Sequence, residues 1–137
     1  MVYDDYAHHP TEIKATLKAV KTVAENKMIA VFQPHRYTRL HELWDSFLTS
    51  FDDADTVIVC DVYPAGETPI ANVSGSCFAN ALSALDKKVF YVSDLNHLPN
   101  VIKEQVSPKD TVVYLGAGSI SSASKDLVQK LKGKKIC

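Results

Sequence analysis

The stretch MIAVFQPHRYTR, residues 28–39, decides the fold. Its first half, MIAVFQ at 28–33, is a short continuous apolar run, the pattern of a strand buried on both faces. The second half turns polar at once, with His35, Arg36 and Arg39 within five positions. Beyond it Leu40, Leu43, Trp44, Phe47, Leu48 and Phe51 form a wide apolar stripe at helical spacing. A buried strand, a polar loop and an amphipathic helix make one unit, and the unit recurs along the chain.

Upstream, Val2 and Tyr3 read as the stub of a first strand. Ile13, Leu17, Val20 and Ala24 predict a helix over 11–25, with Pro10 in its first turn, where a missing N–H costs nothing. Downstream, TVIVCDVY at 56–63 is a third strand, followed by a loop with Pro64 and Gly66. A helix is predicted over 74–85, a strand at 88–92, a helix at 98–105, a strand at 111–115 and a last helix over 120–132. Strands alternating with helices imply a parallel sheet covered on both faces. The expectation is therefore a single α/β domain over 1–137, with a doubly wound, mostly parallel Rossmann-like sheet and helices on both faces. A chain that opens directly on a strand stub is expected to be a piece of a longer protein.

Composition narrows the function classes. The 46% hydrophobic and 23% charged residues are ordinary for a soluble domain, and the net charge of -1 offers no general attraction to nucleic acid or acidic membranes. No apolar run approaches the roughly 18 residues of a membrane-spanning helix. Cys60, Cys77 and Cys137 make an odd set without a CxxC pair. Cys60 and Cys77 read as reduced core residues, which favours a cytoplasmic setting.

In open α/β sheets, ligands bind beyond the carboxyl ends of the strands. Here the unusual residues follow the strands: DDYAHH at 4–9, QPHRYTR at 33–39, DVYPAGE at 61–67 and GAGS at 116–119. Adjacent histidines share one metal poorly, so 4–9 is not expected to build a metal site. An Asp or His there is expected to cap the helix that starts at Pro10. Arg36 and Arg39 lie three apart at a helix start, where positive charge opposes the helix dipole. That placement makes sense if an anion sits between two arginine forks. Gly116 and Gly118 belong to a turn whose N–H groups suit an anion, although the third glycine of a dinucleotide fingerprint is replaced by Ser121. Gly66 serves a turn, and Glu67 is a candidate for an ammonium group. No phosphate-loop motif occurs. Two rival readings remain: a metal-dependent hydrolase using Asp4, Asp5, His8, His9 and Asp61, and a non-catalytic dinucleotide-binding module built on the glycine turn.

The motifs DDYAHHPTEI, VFQPHRYTR, DVYPAGETPI and LGAGSI occur in an order and spacing that resembles the Mur ligases, the amide-forming ligases of bacterial peptidoglycan synthesis, and within them the alanine-adding branch. The likeness runs from Asp4 to about Ile120, and only to the C-terminal, Rossmann-like domain of three. It implies an ATP-dependent reaction with L-alanine and UDP-N-acetylmuramate through an acyl phosphate. ATP and Mg²⁺ would be held mainly by a central ATPase domain absent from this sequence, and the domain alone would be inactive. It further implies that Asp4, with Asp5, meets the ATP ribose. Tyr6, His8, Arg36 and Arg39 would hold L-alanine. His9, His35, Glu67, Gly116 and Gly118 are further candidates.

Overall fold

The computed structural model describes residues 2–5 and 7–116, with Asp5 through its backbone only. Tyr6, Gly118 and the helix expected at 120–132 lie outside these residues. The elements in order are β1 (Val2–Asp5), α1 (Pro10–Lys21), β2 (Met28–Phe32), α2 (Tyr37–Glu42), α3 (Trp44–Leu48), β3 (Thr56–Cys60), α4 (Gly75–Ser83), β4 (Lys88–Val92), α5 (Leu98–Gln105) and β5 (Thr111–Leu115). All five strands pair in parallel, in the order β1-β5-β2-β3-β4.

The unbroken apolar runs are explained by two-sided burial. Alternate side chains of each central strand enter different cores. Met28, Ala30 and Phe32 join Val57, Val59, Val113 and Leu115 on one face, where α1 to α4 pack through residues such as Leu17, Leu40, Phe47 and Phe78. Ile29, Val31, Ile58, Val112 and Tyr114 face the other way, against Leu98 and Ile102 of α5. From β1 to β4 the chain steps across the sheet in one direction, and from β4 to β5 it returns. Crossovers of one hand then require the return helix on the opposite face, which is where α5 lies.

Three boundaries differ from expectation. The first helix stops at Lys21, where the Thr22 hydroxyl donates to the Ala19 carbonyl at 2.7 Å and closes the last turn. The stripe from Leu40 to Phe51 is carried by two helices, because Leu43 leaves helical geometry at φ -110, ψ 21. The third strand ends at Cys60, opposite Val92, the last residue of β4, so Val62 and Tyr63 leave the β3–β4 pairing. Cys77 is only half-buried, whereas Cys60 is in the core as expected.

Two packing features fix the carboxyl rim. Phe32, the last residue of β2, packs on Phe47, Phe51 and Phe78 with ring centroids 5.1–5.7 Å apart. Each such buried ring contributes roughly 1.5–3 kcal/mol of transfer free energy. At the start of α4, Gly75 lies against β3. A Cβ there would overlap the Cys60 carbonyl oxygen and come within 2.9 Å of the Asp61 Cα. At the opposite end of the sheet, Asp110 accepts from Asn26 Nδ2, Lys27 N and Ser107 N, and Asp55 accepts from Met28 N. These acids tie the amino ends of β2 and β5 to neighbouring loops, away from the rim.

Candidate functional site

The loops after β2 and β3 re-pair beyond the end of the sheet. Tyr63 N donates to the Pro34 carbonyl and Arg36 N to the Tyr63 carbonyl, both at 2.8 Å, so His35 and Tyr63 form a parallel bridge. The His35 ring stacks on Tyr63, with centroids 5.5 Å apart and planes 8° off parallel. The His8 ring, from the loop after β1, stands 5.8 Å from the His35 ring, tilted by 55°. Three loops distant in sequence therefore meet at one edge.

This edge borders an open cavity of about 360 Å³. His8, His35, Arg36 and Arg39 line it, with Thr38, Glu42 and Leu43 completing the wall. Among the described residues no carboxylate lies within ion-pair distance of either guanidinium; Arg39 Nη1 instead meets His35 Nδ1 at 3.3 Å. Burial lowers the His35 pKa, and the charges of Arg39, His8 and Arg36 add to that effect against a smaller opposing pull from Glu67. The imidazole is thus favoured in its neutral form. Arg36 has φ 70 and ψ 136, a left-handed conformation that side chains rarely adopt.

Helix α2 begins at this loop without a side-chain cap of its own. The cap comes from across the rim. Glu67 accepts from Thr38 N at 3.2 Å and from the Thr38 hydroxyl at 2.6 Å. The Thr38 hydroxyl bond is the chief reason the Glu67 carboxyl is held below the usual carboxylate range, with backbone N–H bonds and Arg36 assisting and desolvation opposing. Both oxygens of this carboxylate are therefore engaged by Thr38.

The other candidates are placed as follows. Asp4 is exposed on β1, beside Tyr114, and the Asp5 backbone pairs with Leu115. His9 is the N-cap of α1: its Nδ1 accepts from Thr11 N at 3.2 Å, while its own N–H donates to Glu12 Oε1. Asp61 accepts from the Tyr91 hydroxyl at 2.5 Å, and burial followed by this bond pushes Tyr91 up to about 12. His9 and Asp61, two of the ligands a hydrolase reading requires, are thus occupied by structural bonds. No group of three or more His, Cys, Asp or Glu among the described residues is placed to hold a metal ion. Gly116 follows β5 with φ 145. No helix among the described residues is long and apolar enough to cross a membrane. The sequence reading assigned nothing to Tyr63 or Thr38. The signal for Tyr63 was an aromatic residue in a strand-following loop, and for Thr38 a hydroxyl in the first turn of a helix without a cap.

A five-stranded parallel sheet with helices on both faces and a cavity lined by two arginines beyond its strand ends defines an α/β domain of the Rossmann-like class. Residues 1–118 match the family described as Mur ligase, glutamate ligase domain, and the chain belongs to that family. It is 47% identical over 135 residues to the UDP-N-acetylmuramate–L-alanine ligase of Sulfurihydrogenibium sp. (strain YO3AOP1), covering 98% of this chain and 30% of that protein. The crystal structure of the UDP-N-acetylmuramate-alanine ligase of Thermotoga maritima superposes with a TM-score of 0.76 at 32% identity, over 97% of this chain and 27% of that one. A domain from a putative UDP-N-acetylmuramate:L-alanyl-gamma-D-glutamyl-meso-diaminopimelate ligase of Haemophilus ducreyi superposes at 0.68 and 29% identity, over 95% of this chain and 89% of that one. The chain spans about 30% of the length of the curated relatives it matches.

Proposed function

We propose that this chain is the C-terminal, amino-acid-positioning domain of a cytoplasmic ATP-dependent ligase that joins L-alanine to UDP-N-acetylmuramate. The observation that carries this reading is the pair of guanidiniums, Arg36 and Arg39, sharing one cavity with His8 and lacking a carboxylate partner among the described residues. Arginine forks bind carboxylates bidentately, and such charge-assisted bonds are roughly twice as strong as neutral ones. Glu42 and Leu43 on the same wall suit the ammonium group and the methyl group of a small zwitterion. Tyr6 is assigned to the same pocket, and Asp4 and Asp5, at the neighbouring strand end, to the ATP ribose. The names of the relatives support L-alanine as the amino acid.

In that reaction the sugar-linked carboxylate attacks the γ-phosphate of ATP, giving an acyl phosphate and ADP. The amine of L-alanine then attacks the acyl carbon, losing its proton, and phosphate leaves. The metal and the phosphates are assigned to the central domain of the longer enzyme, as the likeness to the Mur ligases implies. What this domain contributes is orientation. Holding L-alanine by its carboxylate turns an encounter between two molecules into a nearly intramolecular attack.

The test is made in a full-length ligase carrying this domain. Arg36→Ala and Arg39→Ala should each raise the KM for L-alanine by about 10- to 100-fold, the loss expected for a hydrogen bond to a charged group. The KM for UDP-N-acetylmuramate should not move. Alanine kinetics untouched by both substitutions would remove the assignment.

A further inference from the structure

Arg39 projects from α2 with no acidic partner among the described residues, yet its guanidinium is not left to wander. Arginine has donors and no acceptor. The 3.3 Å contact between Arg39 Nη1 and His35 Nδ1 is therefore a hydrogen bond only if Nδ1 carries no proton, which places the imidazole proton on Nε2. The ring that offers this acceptor is itself fixed. It is stacked nearly parallel on Tyr63, and its backbone is bridged to Tyr63 by the two 2.8 Å bonds from neighbouring residues.

Resting on the carboxylate-binding role of Arg39 above, we infer that His35 is a positioning residue: an acceptor clamped against Tyr63 that holds the Arg39 guanidinium at the cavity wall. Tyr63 belongs to the loop after β3 and Arg39 to the helix after β2, so the relay couples the geometry of two loops to one anion-binding side chain. The charged and titratable groups around the imidazole agree. Arg39, His8 and Arg36 oppose its protonation, burial opposes it most, and Glu67 favours it weakly. An ordered arginine binds with less entropy lost, because its side-chain rotamers are restricted before the ligand arrives.

Two measurements test this. The first is ¹⁵N NMR of the imidazoles in this chain. His35 should show a bare Nδ1 and a protonated Nε2 at about neutral pH, and Arg39→Met should shift the Nδ1 resonance and raise the His35 titration midpoint. A proton on Nδ1, or a His35 signal blind to Arg39→Met, overturns the inference whatever the domain binds. The second is steady-state kinetics in the full-length ligase. His35→Phe keeps a ring to stack on Tyr63 but removes the acceptor, and should raise the KM for L-alanine about tenfold, the equivalent of one charge-assisted hydrogen bond, with little change in the KM for ATP. His35→Asn restores an acceptor close to the Nδ1 position and should recover most of that loss. If the NMR signature holds but neither His35→Phe nor Arg39→Met moves the alanine KM, His35 does hold Arg39, and it is the carboxylate role of Arg39 that fails. If Arg39→Met and His35→Asn raise the alanine KM but His35→Phe leaves it unchanged, stacking rather than acceptance is what matters, and the relay is wrong.

Discussion

Replacing Arg36 by alanine and by glycine should give stabilities in the reverse of their order within a helix. At φ 70, ψ 136 the residue borders the region that is essentially reserved for glycine, and holding a side chain there costs about 1–3 kcal/mol. Arg36→Ala removes the guanidinium but keeps a Cβ, and so keeps the strain. Arg36→Gly removes both, at an entropic cost of roughly 0.5–1 kcal/mol in the unfolded chain. The difference leaves the glycine variant about 1 kcal/mol more stable than the alanine variant. For a domain of this size that is a Tm higher by roughly 3–5 °C. Within a helix alanine is the more stable of the two, but Arg36 is the N-cap of α2, where glycine already has an advantage, so the size of the gap is read as well as its sign. Both variants retain the N–H that bonds the Tyr63 carbonyl, so the loop bridge does not confuse the comparison. Thermal melts followed by circular dichroism are sufficient. Alanine melting at or above glycine would show that Arg36 is not strained, and that the loop does not hold it in an unfavourable conformation to present its side chain. Neither variant should bind L-alanine well, since neither carries the charge.

Two further outcomes follow from the rim contacts. Gly75→Ala should lower stability by about 1–3 kcal/mol less a helix-propensity gain of up to ~1 kcal/mol, because the new methyl meets the backbone of Cys60 and Asp61, which cannot rotate away; an unchanged Tm would mean that α4 is not seated on β3 as described. Glu67→Gln should be less stable than the parent at neutral pH. The pKa of Glu67 is lowered in the folded state, so its contribution is present above the unfolded carboxylate value of about 4.3 and is lost as the pH falls through the folded value. The Tm difference between parent and Glu67→Gln should therefore close on acidification; a gap constant down to about pH 3 would show that the carboxylate charge contributes nothing.

The polar residues of the candidate site were legible because they interrupt the apolar pattern just where strands end. His8, Arg36 and Arg39 each follow a run that reads as buried strand, and a parallel sheet carries all such positions to one rim. His9 as a cap was legible for a local reason: the start of α1 is set by Pro10 and by bonds to Thr11 and Glu12, all within a few residues. Glu67 was legible as a candidate because it follows a strand, but its bonds from the Thr38 hydroxyl and N–H, which engage both its oxygens, were not. Tyr63 was passed over altogether.

By itself the sequence determined the element types, the parallel sheet and the rim on which the polar loop residues gather, because these depend on hydrophobic period and on side chains a few residues apart. Only the tertiary structure decided that β5 inserts between β1 and β2, that Glu67 caps a helix 29 residues away, and that His35 stacks on Tyr63 while its Nδ1 meets Arg39. Strand order and sheet register set those distances, and register is fixed by the fit of whole cores against one another. No local pattern in the chain encodes it.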